Sequence, residues 1–154
     1  MNAARILLGI LPLLSLPAQA GETRLSDFAG VWRGTGTYER LTTTVASGRL
    51  TCRLTITAAS DDDITVDGRC AAPEGSQGFR TRITASGASL TGRDATSGRQ
   101  SAGTLSSAGI VLAGDDAKGK TSFALSIPAG KAMRWRSSSE DARESRSADV
   151  TLNR

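Results

Sequence analysis

The sequence predicts an all-β protein: an antiparallel meander of about 8–10 short strands, closed as a small calycin-like barrel behind an N-terminal signal helix. Three observations carry this. Apolar and polar residues alternate with a period of two through most of the chain, as in Leu50, Cys52, Leu54, Ile56 and Ala58 against Thr51, Arg53, Thr55 and Thr57. Turn signals such as Ser47-Gly48, Ser86-Gly87 and Ser97-Gly98 recur at intervals of about 8–12 residues. Glycines at 34, 36, 68, 92, 103 and 114 fall inside strands, where sharp coiling needs them. Turns between sequence neighbours imply a meander, and closing it removes exposed edges.

Residues 1–20 stand apart. Met1 to Arg5 give a positive start, Ile6 to Leu16 an apolar run, and Ala18 and Ala20 the small residues before a cut. That is the three-part pattern of a secretory signal peptide, so residues 21–154 are expected to form one domain, periplasmic or secreted. A spanning helix needs about 20 apolar residues, and no such run follows. From Gly21 to Asp27 a polar lead-in reaches one helical turn, capped by Ser26 or Asp27, that would plug one barrel end.

The first strand, Val31 to Leu41, puts Trp32, Gly34, Gly36 and Tyr38 on one face. A loop over 42–48 leads to the second strand, and Asp61-Asp62-Asp63 turns the chain into Ile64 to Cys70. Those three carboxylates lack the spaced Asp-x-Asp-x-Asp-Gly pattern of a calcium loop and read as a solvated hairpin tip. After a loop over 71–78, the strand to Ala85 carries Phe79 and Ile83 inward and Arg80 and Arg82 outward. Strands over 88–95 and 100–105 are the faintest; 110–114 and 120–127 follow, the latter with Phe123, Leu125 and Ile127 inward. Lys131 to Ser137 sets Met133 and Trp135 against Arg134 and Arg136, residues 138–147 read as a long exposed loop, and Ala148 to Leu152 closes the chain.

Export changes how the two cysteines are read, because an oxidising compartment permits a bridge. Cys52 and Cys70 each lie on the apolar phase of neighbouring strands and are expected to pair, contributing about 3 kcal/mol by constraining the unfolded chain. Reactive pairs instead sit close together as Cys-x-x-Cys at a helix start.

Composition excludes more than it assigns. There is no histidine, the usual general base, partner of Ser and Cys nucleophiles and transition-metal ligand. With both cysteines oxidised, a zinc site would need carboxylates alone, so no metal or cofactor is expected. Aromatics are 4% of the chain, which argues against a large aromatic-lined pocket and against stacking of nucleic acid. Net charge is only +4, yet 16 of the 19 basic residues are Arg.

Gly30-Val31-Trp32 resembles the Gly-x-Trp opening of the lipocalins and related calycin barrels. That likeness implies an indole closing one barrel end, with a late basic residue, Arg154 or Arg136, packed over it. Export, a barrel, Trp32 and a Cys52–Cys70 bridge are also similar to the periplasmic inhibitors of serralysin-type metalloproteases, which implies Gly21 to Asp27 as an inserted tail. Taken whole, the chain resembles small exported proteins of Gram-negative bacteria that begin Gly-x-Trp-x-Gly-x-Gly-Thr, here residues 30–37, and end in an alternating strand closing on Arg.

The functional expectation is an exported cell-envelope protein of binding type without catalysis. Arg80, Arg82, Arg134 and Arg136 are the anion-binding candidates, because Arg contacts phosphate or carboxylate bidentately; the partners would be envelope lipid or acidic polysaccharide. A small apolar ligand inside the barrel is a further expectation, limited by an inner phase rich in Leu, Ile, Val and Phe that would fill it. The alternative is protease inhibition. Glu39, Asp67 and Asp94, the carboxylates available for sugar-bond hydrolysis, fall on outward phases, and Gly34-Thr35-Gly36 lacks the Lys-Ser/Thr of a phosphate loop.

Overall fold

Ten antiparallel strands close into a barrel in a computed structural model that describes residues 22–128 and 130–154. The expected signal peptide at 1–20 lies outside the described residues. A 3-10 turn (Leu25–Phe28) precedes β1 (Gly30–Leu41), β2 (Val45–Ser60), β3 (Asp63–Ala72), β4 (Gly75–Ser86), β5 (Ser89–Asp94), β6 (Gln100–Ser106), β7 (Gly109–Asp116), β8 (Gly119–Ser126), β9 (Ala132–Glu140) and β10 (Ser145–Asn153). Each strand pairs with its sequence neighbour, and β10 returns to β1. No described helix is long and apolar enough to cross a membrane.

Period-two burial builds the interior. Trp32, Leu50, Cys52, Leu54, Ile56, Ile64, Val66, Ile83, Leu112, Leu125, Trp135, Val150 and Leu152 are all buried in one cluster. Cys52 and Cys70 are bonded directly across β2 and β3, with Cα atoms 4.1 Å apart. Phe79 stacks on Trp135 at 5.3 Å between ring centres and meets Phe123 edge-on.

One end is plugged by the 3-10 turn. Leu25 and Phe28 are fully buried, and the Trp32 indole N–H donates to the Phe28 carbonyl at 2.9 Å. The Arg154 guanidinium lies 4.6 Å from the Trp32 ring centre and donates to the Ala29 carbonyl at 2.6 Å. Arg154, and not Arg136, therefore covers the indole. Gly30 sits beneath it at φ +141°, a backbone region that side chains rarely adopt, and an added Cβ would meet Arg154 Nε at 3.2 Å.

Three expected loops are mostly strand. The 42–48 loop shrinks to 42–44, the 71–78 loop to Pro73 and Glu74, and the 138–147 loop to 141–144. All three lie at the end away from the plug, where hairpins run on past the apolar core. Backbone pairing such as Arg146 with Ser139 holds them there, and with both faces wet the sequence carries no apolar alternation to reveal a strand.

Candidate binding surfaces

Because hairpin lengths fix the register, the outward side chains form rows across neighbouring strands. The four anion-binding candidates belong to two walls. β4 and β9 stand five strands apart in either direction around the barrel, so Arg80 and Arg82 do not share a face with Arg134 and Arg136. Three of the four are engaged: Arg80 with Asp67 at 2.5 Å, Arg82 with Asp63 at 2.5 Å, and Arg134 with Asp149. Their guanidinium hydrogen bonds hold the Asp63 and Asp149 carboxyls below the usual aspartate range. Arg136 faces Asp149 across β10 but makes no ion pair among the described residues.

A hollow of about 770 Å³ forms a groove across the outside of β7, β8, β9, β10, β1 and β2. Its lining includes outward Val111, Arg136, Asp149 and Arg49, and omits buried Leu112 beside Val111. One bank is the registered row Val111, Ala124, Arg136, Asp149, Thr37, Arg49; the other is Ser122, Ser138, Ser147, Glu39, Ser47. The Ser122 and Ser138 hydroxyls meet at 2.6 Å. Half-buried Phe123 and Tyr38 lie between the banks. At about 4.8 Å per strand the six strands give a track of roughly 24 Å. No fully buried core side chain lines this groove or the smaller cleft, about 500 Å³, between the 115–120 and 140–143 hairpin ends.

At the unplugged rim the Tyr38 hydroxyl donates to Glu74, and Glu144 is clamped between Arg40 and Arg146. The Arg146 hydrogen bond, with that of Arg40, pulls the Glu144 carboxyl down to about 2. Trp135 is buried, and its indole N–H has no hydrogen-bond partner among the described residues. Of the hydrolytic carboxylates, Asp67 is held by Arg80 and Asp94 accepts bonds from the Ser97 backbone and hydroxyl in its own turn. The expected inhibitor tail is tied to the barrel's own end, with Arg24 and Ser26 bonded to Asp61 at 2.8 and 2.6 Å. Among the described residues no three His, Cys, Asp or Glu converge as a metal site.

No protein-family model matches the chain, and no curated protein matches it significantly in sequence. Solved structures do share its shape. The S-type phycobiliprotein lyase CPES from Guillardia theta superposes with a TM-score of 0.62 at 9% identity, over 84% of this chain and 89% of that one. EF1p2_mFAP2b bound to DFHBI gives 0.47 at 11% identity, over 86% and 97%. The siderocalin Ex-FABP gives 0.44 at 11%, over 84% and 74%. At these identities the first likeness establishes the fold and nothing about chemistry.

Sequence reasoning missed the groove, because its banks combine residues from six strands whose register depends on every hairpin between them. It also missed Arg33, Arg53 and Arg69, which fall opposite one another on β1, β2 and β3. A signal for two of them was present: once Cys52 is set opposite Cys70, antiparallel pairing places Arg53 opposite Arg69.

Proposed function

We propose that this is an exported, non-catalytic binding protein that holds an extended, hydroxyl-rich chain, an oligosaccharide, along the outer groove, with the packed barrel as scaffold. The observation that carries the reading is the groove itself, about 770 Å³, with Ser122, Ser138, Ser147, Glu39 and Ser47 along one bank and Arg136, Asp149, Thr37 and Arg49 along most of the other. Ser47, Ser122, Ser138 and Ser147 each offer a donor and acceptors at the spacing of the strands, which suits a polymer of hydroxyls better than a compact ligand. Arg49 at one end of the track and Arg136 midway along it, neither in an ion pair among the described residues, would hold anionic or hydroxyl groups of the chain. Export is supported by the Cys52–Cys70 bridge and the residue 1–20 pattern.

The test is calorimetric titration of the disulfide-bonded protein with a panel of hexasaccharides. Ser122→Val with Ser138→Val, and separately Arg136→Gln, should each weaken binding about tenfold, one to two polar contacts' worth. Binding that ignores these substitutions, or stoichiometric uptake of a fatty-acid dye into the core, would defeat the reading.

A further inference from the structure

Arg33, Arg53 and Arg69 stand directly opposite one another on the outside of β1, β2 and β3, and all three are exposed. Directly opposed like charges disfavour a sheet. Elsewhere on this barrel such pairs are compensated: Arg40 and Arg146 share Glu144, and Arg82, opposite Arg93, is held by Asp63. The three-residue ladder has no ion pair among the described residues; the carboxylate diagonal to it, Asp67, is taken by Arg80. Arg69 makes one long bond, 3.4 Å, to the Ser76 hydroxyl.

The ladder is also pinned. Cys52 and Cys70 are bonded one residue away on the inner side of the same two strands, so β2 and β3 cannot slide to separate the charges. The surroundings are low and open. Asn153 and Gly78 continue the row at either end, and Thr35, Thr51, Thr151 and Ala71 form the next one.

We propose that this ladder is a docking site for a linear acidic polysaccharide, its carboxylates received by guanidiniums repeating at about the 4.8 Å strand spacing. The neighbouring hydroxyls of Thr35, Thr51 and Thr151 would meet the sugar hydroxyls. A lipid surface would call for an apolar wedge beside the charges, and Val31 is the one apolar side chain of that size there. Nucleic acid would call for outward aromatics, whereas Trp32, Tyr38, Phe79, Phe123 and Trp135 all lie on the inward phase. This site uses none of the groove's residues and stands or falls apart from it.

The experiment titrates the disulfide-bonded protein with a polyuronate oligomer, its methyl-esterified neutral form, inorganic polyphosphate and phosphatidylglycerol vesicles. The polyuronate should bind, weaken steeply between about 50 and about 200 mM salt, and lose at least about tenfold with Arg33→Gln/Arg53→Gln/Arg69→Gln. Arg80→Gln/Arg82→Gln should change it less than about twofold, since those charges are already neutralised. The triple variant should keep or raise its urea midpoint, which separates lost contact from lost fold; should it fail to fold, Arg53→Gln alone gives the same reading at smaller effect. Unchanged polyuronate binding in the folded variant, equal binding of the neutral oligomer, or ladder-dependent binding of polyphosphate or vesicles alone would overturn the proposal.

Discussion

The two buried tryptophans should respond unequally to the same substitution. In Trp32→Phe the Phe28 carbonyl loses its 2.9 Å donor inside the plug, a cost of about 1–3 kcal/mol for a buried acceptor left unpaired. Weakening the Arg154 stack over the ring adds about 0.5–1 kcal/mol. In Trp135→Phe the deleted N–H had no partner, so removing it returns about 1–3 kcal/mol against the smaller ring. The shrinkage itself is common to both, since each indole is almost wholly buried. The expected result is that Trp32→Phe destabilises by at least about 2 kcal/mol more than Trp135→Phe. Urea unfolding followed by fluorescence of the remaining indole measures both, with free energies from linear extrapolation. Equal losses would show that the hydrogen-bond assignment, and with it the account of the plug, is mistaken.

Replacing Cys52 and Cys70 by Ala should cost about 3 kcal/mol for a separation of 18 residues; a loss under about 1 kcal/mol in the same urea assay would mean that the unfolded chain is already compact there. Gly68→Ala places a methyl group against the Phe79 ring, which stacks on Trp135, so near-ultraviolet circular dichroism should change and stability fall by about 1–3 kcal/mol. Glu144 should titrate by NMR near about 2 in the native protein and move up towards 4.5 in Arg146→Ala. Because its native pKa is depressed, its contribution is complete above about 4.5 and is lost as pH falls through about 2. Acid unfolding should therefore begin at a higher pH in Arg146→Ala, and identical acid profiles would contradict the clamp.

The barrel was readable wherever one strand face is dry. Leu50, Cys52, Leu54 and Ile56 announce β2 because burial enforces alternation, and the disulfide follows from the phase of its cysteines. The plug was readable for the same reason, with Leu25 and Phe28 apolar in a polar lead-in. Hairpin ends beyond the core were not, since Ser137 to Glu140 and Ser145 to Ser147 are strand by backbone pairing alone. Nor were the ion pairs: that Arg134 would meet Asp149, while Arg33 would meet Arg53, depends on the exact length of each hairpin. Arg80, Arg82, Arg134 and Arg136 are exposed, but strand phase does not tell which carboxylates stand opposite them.

In the binding proposed here the barrel interior is scaffold and the outer wall meets the ligand. Amide chemical-shift mapping during separate titrations with the polyuronate oligomer and with a groove-binding hexasaccharide distinguishes wall from core. The polyuronate should shift the ladder at Arg33, Arg53 and Arg69 and the hexasaccharide the groove banks at Arg49, Arg136 and Ser138, each leaving Leu112, Leu125 and the Trp135 indole unmoved. Shifts concentrated on those core groups, with the wall silent, would contradict this arrangement.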